Sequence, residues 1–265
     1  HGNRDPESCL VGSEMCIRDS HRPRMRAIGS SLTASAGYLL VIAVMAHGLP
    51  QQARATEDLA GGWAVVTVSD AFQTEAGPSR WRYWVDAQAR YFDIGSGANQ
   101  YLVRPAIGFK PGDNLSVWAG YARFRTRGRS SGNVVDENRY WQQLSWTPGR
   151  WRGGTFSMRA RLLQRFVDIS DDMALVLRTL VRYDRPIGND GRRSLIFGLE
   201  PFFDLRPTDW SGDTGIFQNR AYVGIGWRLL DKLTIETGYM NQFFWIDNGE
   251  DVSNHLLVVN FRTRF

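Results

Sequence analysis

From residue 63 to the last residue, apolar and polar positions alternate with a period of two in eleven runs, near 63–70, 81–92, 99–109, 114–125, 139–147, 154–166, 173–184, 194–204, 217–229, 232–245 and 254–265. Period two is the spacing of side chains on opposite faces of a β-strand, and the runs are rich in aromatic and β-branched residues and closed by turn formers. In 81–92 one face carries Trp81, Tyr83, Val85, Ala87, Ala89 and Tyr91, and the other Arg82, Trp84, Asp86, Gln88 and Arg90. In 217–229 Ala221, Val223, Ile225, Trp227 and Leu229 oppose Arg220, Tyr222, Gly224, Gly226 and Arg228. No sustained stretch follows the 3.6-residue helical period, so the fold class is all-β.

Two architectures produce this alternation. In a soluble antiparallel sandwich the apolar face is the core. In a transmembrane barrel it faces lipid and the polar face lines the lumen. Three features favour the barrel. The runs are mostly ten residues or longer, where soluble strands average about 5–6. Aromatic residues gather at the ends of the apolar faces (Trp81, Tyr91, Tyr101, Phe109, Trp146, Tyr183, Trp227, Trp245 and Phe265), as an interfacial girdle requires. Connections also alternate between short turns (110–114, 147–154, 185–191, 229–233) and polar loops (126–138, 206–216, 247–252), the stretch 167–172 being short where a long loop belongs. The expectation is a single antiparallel up-and-down transmembrane β-barrel of roughly 10–12 strands. Single-chain bacterial barrels have even strand numbers, so either the run 63–70 does not span or a twelfth strand is hidden.

The N-terminus reads differently. Residues 1–24, with "CLVGSEMCIRDS", resemble a translated sequencing adaptor and are expected to be a non-native extension. Residues 25–55 carry Arg26, the apolar run Tyr38 to Met45 and Ala53-Arg54-Ala55, the three parts of a secretory signal peptide. The apolar run is well short of the ~20 residues of a spanning helix. The barrel is therefore assigned to 56–265. Both cysteines, Cys9 and Cys16, and all histidines but His255 fall before it. Disulfides, thiol catalysis and cysteine metal clusters are excluded from the barrel, and no cofactor or metal is expected.

Positive charge in 56–265 is almost entirely arginine, Lys110 and Lys232 being the only lysines. By parity Arg82 and Arg90, Arg104, Arg139, Arg159 and Arg161 fall on the polar face, as do Arg178 and Arg182, Arg220 and Arg228, and Arg262 and Arg264. Asp86, Glu200 and Glu236 are the carboxylates there, joined by Gln88 and Gln143. Two readings stay open. The side chains fill a narrow lumen as a braced network in which each buried charge needs a partner. Alternatively, arginine excess lines a passage for anions. Nucleic acid is no partner, because the arginines are spread over many strands facing inward rather than clustered in one stripe.

His255 stands on the apolar face of the last run, ten residues before Phe265. At about 3.3 Å per residue and a tilt near 40°, that is close to the outer rim. Ser253 and Asp251 are near in sequence, so an outer-leaflet phospholipid or lipid A hydrolase is an alternative function. Ser253 is not, however, at the cross-strand position a Ser–His pair favours. No phosphate loop, calcium loop or carboxylate pair has diagnostic spacing.

The segments "WVDAQARYF" (84–92), "RYWQQLSW" (139–146), "GLEPFFDL" (198–205) and "VNFRTRF" (259–265) resemble the bacterial outer-membrane family called domain of unknown function 2490. The resemblance implies an outer-membrane β-barrel and brings no catalytic or binding residue with it. Similarity to other outer-membrane proteins also implies that Phe265, Phe261 and Val259 form the C-terminal signal read by the barrel-assembly machinery. The resulting expectation is a monomeric barrel in the outer membrane of a Gram-negative bacterium. Lipid and lipopolysaccharide surround it, and its role is structural or that of a narrow, porin-like pore.

Overall fold

The computed structural model describes residues 56–93, 97–128, 133–247 and 249–263. The expected extension and signal peptide lie outside them. Eleven strands form one closed sheet: β1 Thr56–Thr74, β2 Gly77–Asp93, β3 Ala98–Gly112, β4 Leu115–Arg127, β5 Val134–Trp151, β6 Gly154–Val167, β7 Ala174–Ile187, β8 Arg193–Asp204, β9 Gly215–Leu230, β10 Leu233–Phe244 and β11 Asp251–Thr263. Each expected run overlaps one strand. Closure into one sheet rules out the two-sheet sandwich and leaves no exposed edge among the strands.

The expected parity is corrected. All strands pair antiparallel with their sequence neighbours, while β1 and β11 pair parallel, from Thr56 opposite Asp251 to Val68 opposite Thr263. When every strand reverses the last, an odd count leaves the first and last running the same way, and only a parallel seam can close the ring. The run 63–70 is a full member of the sheet, within a strand of 19 residues, and there is no twelfth strand among the described residues.

One end of the barrel carries the tight connections 75–76, 113–114, 152–153, 188–192 and 231–232. The other carries 94–97, 128–133, 168–173, 205–214 and 245–250. The connection after Val167 therefore matches two of its neighbours on the long-loop end in length. The stretch 147–154 is mostly strand. Pro148 sits at a register shift between Trp146 and Gly149, and the chain reverses at Arg152 and Gly153. Both have positive φ, 45° and 82°, the backbone twist that two-residue hairpins favour.

The outer face is apolar. Val66, Val85, Val103, Ile107, Leu144, Phe197, Val223 and Leu257 are all exposed. Aromatic residues band it at both ends. Trp81 packs on Phe109 toward the tight-turn end, and Tyr91 meets Tyr101 toward the other, their hydroxyls 2.7 Å apart. The inner face is packed. Gly108 and Gly120 point inward and leave room for the rings of Trp118 and Trp141, which lie where a Cβ would stand. Trp84, Trp118 and Trp141 come from β2, β4 and β5, and Trp84 meets the other two edge to face.

Candidate functional site in the barrel interior

The polar parity of the strands brings charged side chains together as three carboxylate-centred groups and a salt bridge. Glu137 (β5) accepts from Arg139 at 2.7 Å and from Arg165 (β6) at 2.6 Å, all three being at most 1% exposed. Glu200 (β8) accepts from Arg178 (β7) at 2.9 Å and from Arg159 (β6), with Arg220 (β9) 3.7 Å away. Glu236 (β10) accepts from Arg182 (β7) and Arg262 (β11), each at 2.8 Å. Arg182 also holds Asp184 at 2.6 Å. Asp86 and Arg104 form the salt bridge between adjacent β2 and β3, at 2.5 Å.

The bonds Arg182–Glu236 and Arg159–Glu200 join strands that are not neighbours, so they run through the interior. Guanidiniums also stack on inward rings. Arg90 lies 3.9 Å from the Trp63 ring centre and bonds Gln88 and Gln100. Arg139 lies 3.7 Å over Phe124, and Arg178 4.3 Å over Phe202. Aromatic faces replace part of the solvation that a buried guanidinium loses.

Arg161 differs from the others. It is fully buried, and its hydrogen bonds of 2.8 and 2.5 Å both go to the neutral amide oxygen of Gln143. Its guanidinium lies 4.2 Å from Trp141 and 5.2 Å from Trp84. Arg161 has no ion pair among the described residues.

Of the other residues expected on this face, Arg82 is half-buried and Arg228 is exposed near the tight-turn end. Arg264 and Phe265 lie outside the described residues. Phe261 is exposed and Val259 half-buried. Parity missed Glu137, because the run was begun at Arg139 when β5 begins at Val134. Stepping back by two from Arg139 would have reached it. Arg165 lay inside its run at the same parity as Arg159 and Arg161. Arg123, Arg125 and Arg127 of β4 are on the opposite, outer face near the long-loop end. There Arg123 pairs with Asp136 at 2.8 Å.

His255 is on the outer face at the parallel seam. Its Nδ1 is 2.6 Å from the Tyr239 hydroxyl, and its Nε2 is 3.0 Å from Asp58 on β1. Ser253 is closer than strand spacing suggested, its Oγ 3.4 Å from the same Nε2. A serine nucleophile needs that nitrogen as its base while a carboxylate holds the other one. Here the carboxylate and the serine share one nitrogen. His255 thereby ties β1, β11 and β10 together, and Asp58 and Ser253 face the same ring nitrogen.

Fold and interior together define a closed β-barrel whose arginine-rich core is braced by shared carboxylates. The chain belongs to the family described as protein of unknown function (DUF2490), whose model matches residues 60–253. It is 32% identical over 184 residues to an uncharacterized protein of Methylorubrum extorquens, a match that covers 69% of this chain and 80% of that relative. No solved structure matches the chain.

Proposed function

We propose that the protein is an integral outer-membrane barrel whose interior is packed shut, a structural barrel rather than an open conduit. The observation that carries this reading is the set of ion pairs and ring contacts between non-neighbouring strands, above all Arg182–Glu236 and Trp84–Trp141. A water-filled pore keeps such groups apart. The exposed apolar belt between two aromatic bands supports a lipid-facing exterior, since soluble monomers rarely expose so large an apolar surface. The expected signal peptide agrees with export, and Val259, Phe261 and Phe265 fit an assembly signal. Arg123, Arg125 and Arg127 stand at the height of Tyr91 and Tyr101, where the phosphates of lipopolysaccharide would meet them.

An anion channel is the second reading, favoured by Arg161, a buried cation with no carboxylate partner. Lipid hydrolysis at His255 is the weaker alternative because Asp58 occupies the nitrogen that Ser253 would need. Planar-bilayer recordings of the purified full-length protein separate the first two. A packed interior gives no stable single-channel steps. Steps with a reversal potential displaced toward the anion equilibrium value would replace this reading with the channel.

A further inference from the structure

Arg161 is one of several hydrogen-bond donors that converge on the same level of the interior. Arg161 Nη1, Trp141 Nε1, Trp84 Nε1, Arg159 Nε and Arg178 Nε are all shielded from solvent, and none meets an acceptor among the described residues. They belong to one cluster. Arg161 stacks against both tryptophans, whose ring centres are 5.6 Å apart. Arg178 is opposite Arg161 in the β6–β7 register. Arg104 lies 4.9 Å from the Trp84 ring, and Arg159 and Arg178 share Glu200.

Charge sharpens the point. Arg104, Arg159, Arg161 and Arg178 bring four positive charges, with Arg220 also 3.7 Å from Glu200, and Asp86 and Glu200 bring two negative ones. The four arginines outnumber the two carboxylates by two even before Arg220 is counted, and Arg161 among them is fully buried against the rings of Trp84 and Trp141. Water could satisfy the N–H groups but not the charge, and an uncompensated buried cation costs several kcal/mol. Donors in excess, positive charge in excess and rings that exclude bulk water are together the chemistry of an anion site.

We propose that the barrel interior binds a small inorganic anion of chloride size between Arg161, Trp84 and Trp141, with Arg159 and Arg178 flanking it. The anion serves as a built-in counter-ion for the packed core. The proposal rests on the closed-interior reading, which conductance tests, whereas this site is read by anion dependence of stability.

The experiment uses the full chain folded in detergent, at one ionic strength, with chloride, bromide or gluconate as the only anion. Thermal unfolding is followed by gel mobility and circular dichroism. Gluconate, a polyhydroxy carboxylate far larger than a halide, is the comparison anion. Chloride and bromide should raise the midpoint saturably over gluconate, by roughly 5–10 °C at about 100 times the dissociation constant. Bromide should also quench tryptophan fluorescence with the same midpoint concentration. Arg161→Met should abolish both responses and unfold no lower than the unsubstituted protein when both are in gluconate, because it removes the uncompensated charge. If Arg161→Met does not fold, Arg161→Gln serves the same comparison. Equal midpoints for the unsubstituted protein in chloride and gluconate, or a halide response that survives loss of Arg161, would overturn the proposal.

Discussion

Glu137 lies between two guanidiniums, and none of the three side chains meets water. Neutralising it leaves Arg139 and Arg165 without the carboxylate they share. Breaking a buried pair from one side costs about 3–5 kcal/mol, so Glu137→Gln should lower the unfolding midpoint by on the order of 10 °C. Arg123→Gln is the control. Its partner Asp136 is on the outer rim, where an exposed pair contributes about 0–1 kcal/mol, and its midpoint should barely move. Equal midpoints for the Glu137 variant and the unsubstituted protein would mean that the interior is wet. At this scale parity alone located most of the buried charges, because inward and outward positions alternate rigidly along a strand. It could not show which carboxylate serves which arginine, since Arg182 and Glu236 are 54 residues apart and meet only across the closed barrel. Nor could it single out Arg161, whose distinction is the partner it lacks.

Gly120 shows how elements fit one another. A Cβ there would lie 2.4 Å from the Trp141 ring and 2.7 Å from the Pro105 carbonyl oxygen. Gly120→Val therefore has to displace the ring that β5 sends inward. Overpacking of this kind costs about 1–3 kcal/mol, and the expected signs are a lower midpoint and a red-shifted tryptophan emission as Trp141 meets water. Unchanged emission and midpoint would show that the ring has room elsewhere. Strand existence was legible throughout, because long period-two runs leave little alternative. Strand ends were less so. Pro-Gly at 148–149 reads as the turn, yet the reversal comes at Arg152 and Gly153, where positive φ at both residues supplies the hairpin twist. The first strand was legible only in part. Ala60, Gly61 and Gly62 blur the alternation, and its N-terminal residues are held by pairing with β11 rather than by their own pattern.

The seam decides how the whole molecule is threaded. A parallel pairing leaves no mark in either strand alone, so the eleven runs stood against the even number usual in single-chain bacterial barrels until closure showed all eleven to be strands. The consequence is topological. β11 ends at the tight-turn end, the periplasmic end in the proposed outer-membrane orientation, and β1 starts at the long-loop end. An even-stranded barrel puts both chain ends at the periplasmic mouth. The strand at the seam is fastened on the outside by Asp58, His255 and Tyr239, which adds cross-strand bonds where parallel pairing is slightly weaker per residue. Because 56–265 contains no cysteine, replacing Cys9 and Cys16, the two in the chain, with serine lets single thiols report orientation without background. Thr56→Cys and Glu75→Cys sit at opposite ends of β1, and each variant is treated on intact cells with a membrane-impermeant maleimide. An outer-membrane barrel of eleven strands with a parallel seam gives labelling at Thr56→Cys and protection at Glu75→Cys until the membrane is opened. Protection at Thr56→Cys with the membrane intact would contradict the parallel seam and the proposed orientation together.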